Sequence, residues 1–205
     1  VSHELRTPLA SIKGFATTLL RQDVDWDETT RREFLAIIDE ESDRLSELIG
    51  NLLDMSRIEA GTLRVEPEPM DVQPLIKETV AKYQVLTREH QLQAHFPQGL
   101  PSVWGDPRRV RQVLRNLVEN AVKYSPGGGR IAISTRVTGE EVQVSVSDQG
   151  LGIEPEHLKH VFDRFYQVDS ASTRQVGGSG LGLSICKAII EAHQGRIWAE
   201  SQVGV

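Results

Sequence analysis

His3 and Glu4 are adjacent in a segment, Val1–Ala10, whose apolar residues have helical spacing. An imidazole can attack phosphorus, and an adjacent carboxylate can hydrogen-bond the other ring nitrogen and fix the tautomer. Thr7 follows His3 by four residues, so a helix would place both on one face. A lone exposed histidine usually has no such role. The pair is a candidate phosphoryl acceptor only if the chain can also supply a phosphoryl group.

A second group of polar residues, Asn116, Asn120 and Lys123, falls at i, i+4 and i+7 of a predicted helix that begins at Asp106-Pro107. The spacing predicts one polar stripe opposite an apolar one. Amide oxygens suit a Mg²⁺ ion that phosphates also hold, and a lysine suits the phosphates themselves. Taken alone, such a stripe is more often a solvated helix face. The residues expected on the apolar side are Val110, Leu114, Leu117 and Ala121.

Asp148 lies in phase with the alternating valines of the predicted strand 142–148. The alternation predicts that its carboxylate points into the apolar layer, where a buried acid needs a hydrogen-bond donor. The exocyclic amine of adenine would be such a donor, and Gly150 and Gly152 follow where a side chain would block a planar ring. The alternative is that Asp148 only caps a glycine-permitted turn.

A second glycine cluster, Gly177-Gly178-Ser179-Gly180-Leu181-Gly182, precedes a predicted helix. Glycines let backbone N–H groups approach a phosphate, and a helix N-terminus favours negative charge. The spacing matches neither a Walker loop nor a Rossmann turn. We interpret the polar segment between the two glycine clusters as a mobile lid with an aromatic latch. The residues of this latch are Phe162, Arg164, Phe165 and Tyr166.

Two amphipathic helices are predicted in residues 1–60, where the histidine lies. Ile37, Ile49 and Leu53 widen the apolar face of the second helix beyond what one partner helix could cover. Two helices alone make a poor core, so we expect a homodimer that closes a four-helix bundle. The predicted stripes are Leu5, Leu9, Ile12, Ala16 and Leu19 in the first helix and Phe34, Ile38, Leu45, Leu48, Leu52 and Met55 in the second.

Residues 71–205 have a mixed helix and strand pattern, which predicts an α/β fold after the helical hairpin. Residues 61–70, with one glycine and two prolines, are predicted to be a linker. The strands 131–138 and 142–148 are predicted to form a hairpin through Gly139-Glu140. The other predicted elements are helices over 72–87, 106–124, 156–162 and 181–193 and strands over 92–96 and 196–201.

The composition is typical of a soluble globular protein, with 205 residues, 39% hydrophobic and 25% charged. No apolar run approaches the ~18 residues that cross a bilayer, and we expect no signal peptide within these residues. Residues 1–60 carry 7 Lys and Arg against 13 Asp and Glu, and the rest is balanced. Neither part is a basic patch, so duplex nucleic acid is not expected as a partner. The single Cys186 is expected to be a buried thiol, in keeping with a reducing cytosol.

Five segments, SHELRTPLA, NLVENAVKYS, DQGLGI, FDRFY and GGSGLGLSI, resemble in sequence and order the H, N, first glycine, F and second glycine boxes of bacterial sensor histidine kinases. The resemblance implies a dimerisation and phosphoacceptor hairpin over 1–60 and a GHKL-type α/β sandwich over 71–205 that binds ATP and Mg²⁺. It implies that His3 is the phosphoacceptor, Glu4 its acid–base partner and Thr7 a residue of phosphatase activity. Asn120 and Asn116 would hold Mg²⁺. The implied nucleotide contacts are Asn116, Asn120, Lys123, Tyr124, Asp148, Gly150, Gly152, Ile153, Phe165, Gly178, Ser179, Gly180, Leu181 and Gly182.

The implied partner is the receiver domain of a response regulator, with no nucleic acid and no membrane contact by residues 1–205. Because Val1 opens the chain within a pattern, we expect a cytoplasmic fragment of a longer protein, which a region upstream could anchor in a membrane. The family usually continues past Ser201 into another strand, which we expect to be missing.

Two other functions would use parts of the same sequence. A clamp ATPase would keep the nucleotide pocket but would not need an exposed His-Glu pair on a helical hairpin. An adaptor with a degenerate nucleotide sensor would be expected to lack Asn120, Asp148 or a glycine, and all of these are present.

Overall fold

The computed structural model describes residues 2–168 and 179–203, with side chains from Glu4 onward. The chain divides into two compact units, Val1–Ala60 and Gly61–Val205. Among the described residues, no helix has both the length and the apolar character that crossing a membrane requires.

The first unit is a hairpin of two helices, α1 (Ser2–Leu19) and α2 (Glu28–Glu59). The Asp27 side chain caps α2 by accepting a 2.9 Å hydrogen bond from the Thr30 backbone N–H. At the closed end of the hairpin, the rings of Phe15 and Phe34 lie 5.2 Å apart and the Trp26 ring lies 5.3 Å from Phe34. The predicted helical hairpin is confirmed.

Several large apolar side chains of the hairpin remain exposed: Leu9 by 57%, Leu35 by 56%, Ile49 by 46% and Leu53 by 55%. Leu9 was expected to face α2, but the adjacent Pro8 is fully buried instead. Neighbouring helical residues point about 100° apart, so only one of the two can occupy the packed face. Ile49 and Leu53 are exposed, as expected for residues that one partner helix cannot cover.

The second unit is built on a mixed sheet of three strands, β2 (His90–His95), β4 (Gly129–Thr138) and β5 (Glu141–Ser147), in the order β2-β4-β5. β2 is parallel to β4, and β4 is antiparallel to β5 through the predicted turn at Gly139-Glu140. Helices α3 (Val72–Leu86) and α4 (Pro107–Lys123) pack on the sheet. The predicted α/β sandwich with a mixed sheet is confirmed. Its buried core is Met70, Val72, Leu75, Ile76, Tyr83, Leu92, Leu114, Val118, Ala121, Ile131 and Ile133.

Two short strands, β1 (Glu68–Met70) and β3 (Val103–Gly105), form a separate antiparallel pair that the sequence did not predict. Each has only three residues, too few for an alternating pattern to be recognised. β1 also occupies the end of the predicted linker. Its pairing with β3 makes residues 68–70 part of the second unit.

The N-terminus of α4 is fixed by Asp106, as predicted. Its carboxylate accepts hydrogen bonds from the backbone N–H groups of Arg108 at 2.9 Å, Arg109 at 3.2 Å and Glu66 at 3.1 Å. Burial alone would raise the pKa of this carboxyl, but these three donors outweigh burial and hold the pKa below its ordinary value. Asp106 therefore remains ionised at neutral pH and anchors the helix that carries the amide residues.

The remaining helices are the short α5 (Pro155–Leu158) and α6 (Gly182–Ala192), which packs against α4. Cys186 lies in this interface and is fully buried, as predicted. Burial raises the pKa of its thiol to about 12, so it is neither a thiolate nucleophile nor a redox group at neutral pH.

The predicted strand over residues 196–201 is wrong, because the structure assigns these residues to no strand. The segment is held by side chains instead of a backbone ladder. Arg196 forms a 2.8 Å ion pair with Glu141 at the start of β5, and the Ser201 hydroxyl accepts a 2.8 Å hydrogen bond from the Ile153 N–H. Alternating residue types do not form a strand without backbone pairing to a neighbour.

Candidate functional site

The three polar residues of α4 do not share one exposed face. Asn116 is only 5% exposed, and its amide nitrogen donates to the Gly182 carbonyl at the start of α6 at 3.4 Å. Asn120 and Lys123 are half-buried. α6 packs against α4 on the side of Asn116, so the predicted polar stripe is not a solvated helix face at that residue.

The same two-sided packing changes which apolar residues of α4 are buried. Leu114 and Ala121 are buried as predicted, but Val110 and Leu117 are only half-buried. Val113 and Val118 occupy the fully packed positions instead, with 6% and 0% exposure. A helix packed on two sides buries an arc wider than the single stripe from which the prediction was made.

Asp148 is exposed, and its carboxylate Oδ1 accepts a 2.9 Å hydrogen bond from the Gly150 N–H. The prediction that it points into the apolar layer is wrong. β5 ends at Ser147, so the strand alternation no longer sets the direction of the next side chain. The carboxylate instead caps the turn that follows the strand, and it remains accessible to a ligand.

Gly150 holds this turn against the end of α4. A Cβ at Gly150 would lie 2.2 Å from the Tyr124 carbonyl oxygen, 2.7 Å from the Ser125 hydroxyl and 2.8 Å from Asp148 Oδ1. The N–H of Leu151 donates to the same Tyr124 carbonyl at 3.0 Å. The glycine therefore brings Asp148 next to the helix end that carries Asn120 and Lys123, which joins two of the predicted site groups.

The second turn glycine, Gly152, has a left-handed backbone with φ of 72°. A Cβ there would lie 2.6 Å from the Gln202 carbonyl oxygen. Ile153, which follows, is half-buried, and its N–H is bonded to Ser201. The end of the segment predicted as a final strand, at Ser201, and the following Gln202 thus pack against the glycine turn.

Phe165 of the predicted lid contacts Gly180 of the second glycine cluster. Phe165 has φ of 60°, and its N–H donates to the Gly180 carbonyl at 3.0 Å. A Cβ at Gly180 would lie 2.7 Å from the Phe165 carbonyl carbon. Phe165 is 51% exposed. Leu181, just before α6, is 1% exposed and packs in the core. Ser179 accepts a 3.3 Å hydrogen bond from the Leu181 N–H.

Residues 169–178 lie outside the described part of the chain, and with them the predicted contact Gly178 and the last part of the predicted lid. The predicted latch residues precede this stretch. Among them, the Tyr166 hydroxyl and His157 Nδ1 on α5 form a 2.6 Å hydrogen bond.

The side chains of Lys123 and Tyr124 complete the local geometry. Lys123 Nζ lies 5.1 Å from the centroid of the Tyr124 ring, which is half-buried. Burial raises the pKa of the Tyr124 hydroxyl above its ordinary value, so this side chain is neutral over the physiological range.

The phosphoacceptor candidates lie in the first unit. His3 lies within α1, and its side chain is outside what the structure describes. Glu4 is half-buried and Thr7 is exposed. The exposure of Thr7 agrees with the expected solvent side of α1.

Sequence reasoning missed the part played by Ser125 and His90. Ser125 is 2% exposed, and its hydroxyl lies beside Gly150. His90 is 5% exposed, and its Nε2 lies 2.9 Å from the Ser125 carbonyl oxygen. No local pattern reveals this pairing, because the two residues are 35 positions apart.

The residues brought together suit a nucleotide with Mg²⁺. Close contacts at Gly150 and Gly180 leave no room for side chains at these positions, so the surface there consists of backbone. An accessible carboxylate on Asp148 can accept from a base amine, and Lys123 can contact phosphates. The amide oxygen of Asn120 is a ligand type that Mg²⁺ uses together with phosphates and water.

Two family models match the chain. Residues 1–61 match the His Kinase A (phospho-acceptor) domain, and residues 105–205 match the histidine kinase-, DNA gyrase B- and HSP90-like ATPase family. The sensor protein SrrB of Staphylococcus aureus strain NCTC 8325 / PS 47 is 40% identical over 205 residues, which cover 100% of this chain and 35% of that protein. The chain thus spans about a third of the length of this relative.

Two solved structures of histidine kinases are similar over nearly the whole chain. Full-length ShkA in complex with AMPPNP has a TM-score of 0.72 at 27% identity, covering 99% of this chain and 42% of that one. ThkA in complex with the response regulator protein TrrA has a TM-score of 0.69 at 28% identity, covering 98% and 56%. Because the chain matches a phosphoacceptor domain followed by an ATPase-type domain and is similar to these kinases over nearly its whole length, it belongs to the sensor histidine kinases.

Proposed function

We propose that the chain is the catalytic core of an ATP-dependent protein-histidine autokinase that phosphorylates His3. The phosphoryl group then passes to an aspartate of a response regulator. The observation that carries the proposal is the close contact of Gly150 with Tyr124, which brings Asp148 next to the end of α4. A family phosphoacceptor domain precedes this site in the same chain.

In the proposed site, Asp148 accepts the amine of adenine, and the half-buried Tyr124 and Ile153 and the exposed Phe165 enclose the base. Lys123 contacts the phosphates. Asn120 and Asn116 would hold Mg²⁺, which would supply neutralisation of phosphate charge when bound. The Asn116 nitrogen is engaged with Gly182, which leaves its oxygen for the metal. The phosphate-binding residues of the second cluster would be Gly178, Ser179, Gly180, Leu181 and Gly182. Gly152 shapes the base turn.

The transfer step requires little covalent chemistry from the protein beyond a nucleophile. A neutral ring nitrogen of His3 attacks the γ-phosphorus, the bond from that phosphorus to the β,γ-bridging oxygen breaks, and ADP leaves. Glu4 accepts the proton that the other ring nitrogen loses. Thr7, exposed on the same helix, would orient the water that removes the phosphoryl group from the regulator.

Two similar structures support nucleotide binding and the proposed partner, respectively. The similarity to ShkA, solved with an ATP analogue, supports nucleotide binding. The similarity to ThkA, solved with a response regulator protein, supports a receiver domain as partner. A cytoplasmic location for this part of the protein stays a prediction.

We also propose that residues 1–60 form a homodimer through the exposed apolar residues of the hairpin. Leu53→Asp should weaken self-association by at least a hundredfold, because a charge would be buried in the bundle without a partner. Leu53 is 55% exposed in the single chain, so the hairpin itself should still fold. Sedimentation at micromolar concentration measures the effect.

Leu20→Asp is the matched control, since Leu20 is 79% exposed just after the end of α1 and belongs to neither predicted apolar stripe. It should leave the dimer intact. A wild-type chain that sediments as a monomer at this concentration would contradict the proposed bundle.

The recognition role of Asp148 can be separated from its capping role. Asp148→Asn retains an oxygen that can cap Gly150 but loses the charge, so ATP affinity should fall about ten- to a hundredfold with an unchanged melting temperature. GTP presents a carbonyl where ATP presents an amine, and the wild type should reject it. Titration of both nucleotides and thermal melts measure these effects.

Asp71→Asn is the control for Asp148→Asn, because the exposed Asp71 carboxylate bonds the Ser102 hydroxyl outside the site. It should leave ATP affinity unchanged. Equal ATP affinity in wild type and Asp148→Asn would end the adenine-reading role. A parallel loss of ATP and GTP binding with a lower melting temperature would instead support capping alone.

The clamp ATPase alternative is tested by product stoichiometry. An autokinase mixed with Mg²⁺ and ATP should release about one ADP for each phosphorylated histidine and then stop or slow markedly. Continuous ADP release without any phosphoprotein would favour the clamp ATPase. Rapid quenching with parallel measurement of ADP and protein-bound phosphate distinguishes the two.

A further inference from the structure

Ser125 has a buried hydroxyl that none of the described residues hydrogen-bonds. The residue is 2% exposed, and its Oγ is enclosed. A buried polar group without a partner is destabilising, so such groups in native proteins call for an explanation. The position of the hydroxyl, at the contact between the end of α4 and the glycine turn, suggests what that explanation is.

The surroundings of the hydroxyl point toward Asp148. Ser125 Oγ and Asp148 Oδ1 lie 2.7 Å and 2.8 Å from the same point, the position that a Cβ on Gly150 would occupy. Asp148 Oδ1 already accepts from the Gly150 N–H at 2.9 Å. A carboxylate has two oxygens and about four lone-pair sites, so it can accept the Gly150 N–H, a hydroxyl and a base amine together.

The backbone of Ser125 is fixed from two sides, which gives the hydroxyl a defined position. Its carbonyl oxygen accepts from the Gly128 N–H at 2.9 Å and from His90 Nε2 at 2.9 Å. His90 Nδ1 lies 2.5 Å from the Thr87 hydroxyl, which donates to it. Both ring nitrogens of the buried His90 are thus engaged, and the end of α4 is held in place before any ligand binds.

We propose that Ser125 is a positioning residue for Asp148. When a nucleotide binds, the Ser125 hydroxyl donates to the Asp148 carboxylate and holds it in the orientation that accepts the base amine. This inference rests on the proposed nucleotide function of the site. The unpaired hydroxyl gains its hydrogen-bond acceptor in the nucleotide-bound state. Ser125 thereby contributes to the preference for purines that carry an amino group.

A purely structural role for Ser125 leads to a different result. If the hydroxyl only fills space between α4 and the turn, its removal should affect folding and all nucleotides alike. If it positions Asp148, its removal should affect only nucleotides whose base carries the amine. Purine riboside triphosphate, which has hydrogen in place of the 6-amino group of ATP, separates these cases.

The experiment titrates ATP and purine riboside triphosphate into wild type and Ser125→Ala and records thermal melts without nucleotide. We expect ATP affinity to fall about tenfold, affinity for the purine analogue to stay unchanged, and the melting temperature to stay equal or rise. Ser125→Cys, which keeps the shape with a weaker donor, should give an intermediate ATP affinity. Thr79→Ala removes a buried hydroxyl that does bond, to the Leu75 carbonyl at 2.8 Å, and should lower the melting temperature without changing nucleotide preference.

Equal ATP affinity in wild type and Ser125→Ala would overturn the inference while leaving the proposed function intact. A parallel loss for both nucleotides would also overturn it. Wild type that binds neither nucleotide would overturn the proposed function, and the inference with it.

Discussion

Replacing His3 with glutamine should abolish phosphorylation of the chain and leave ATP binding unchanged. Glutamine is polar and of similar size but has no nitrogen lone pair that can attack phosphorus. The residues proposed to bind the nucleotide lie in the other compact unit, Gly61–Val205, so the substitution should not affect them. Intact mass measured under neutral conditions, after incubation with Mg²⁺ and ATP, should show one added phosphate in wild type and none in His3→Gln.

His95→Gln is the matched control for this experiment, since His95 is an exposed histidine at the end of β2, in the other compact unit. It should be phosphorylated like wild type. A phosphate that persists in His3→Gln would remove His3 from the mechanism, whatever the nucleotide site does.

Replacing Gly150 with alanine should weaken ATP binding by at least a hundredfold, or about 3 kcal/mol. The new Cβ would lie 2.2 Å from the Tyr124 carbonyl oxygen, where neither backbone can yield without movement of the turn or of the end of α4. Either movement separates Asp148 from Asn120 and Lys123. Overpacking of this kind should also cost about 1–3 kcal/mol of folding stability. Calorimetric titration with ATP and a thermal melt measure the two effects.

Gly127→Ala is the control, because no heavy atom lies within 4 Å of its Cβ position and the backbone there is not left-handed. It should bind ATP like wild type. If Gly150→Ala also kept wild-type ATP affinity, the contact between the turn and α4 would have no part in nucleotide binding.

Much of the fold follows from local patterns in the sequence. The apolar stripes of residues 1–60 predict the helical hairpin, and Asp106-Pro107 correctly marks the start of α4. The turn at Gly139-Glu140 correctly joins β4 to β5. These features depend on neighbouring residues, so periodicity and capping chemistry are sufficient to identify them.

Most of the incorrect predictions result from tertiary packing that local patterns do not show. The predicted inward direction of Asp148 extended the strand alternation one residue beyond the end of β5. The predicted apolar stripe of α4 assumed that this helix is packed on one side, whereas α6 also packs against it. The pair β1 and β3 is too short for its alternation to be seen. For α4 and for the β1–β3 pair the deciding contacts are with residues far away in the chain, whereas Asp148 bonds Gly150, two positions on.

The site residues fall into the same two groups. Asn120, Lys123, Gly150 and Gly180 could be named from their types and spacing. Ser125 could not be named in this way. It stands out only because its buried hydroxyl has no hydrogen-bond partner among the described residues, and it is buried because the glycine turn packs on the end of α4.

The most direct test of the central claim compares two labels on the same substrate. Wild-type protein is incubated with Mg²⁺ and ATP labelled at either the γ- or the α-phosphorus, and the protein-bound label is then exposed to acid and to alkali. An autokinase should acquire label only from γ-labelled ATP, in a form that acid removes and alkali does not, as expected for a phosphoramidate. Label from α-labelled ATP, alkali-labile label or no label at all would contradict a histidine autokinase.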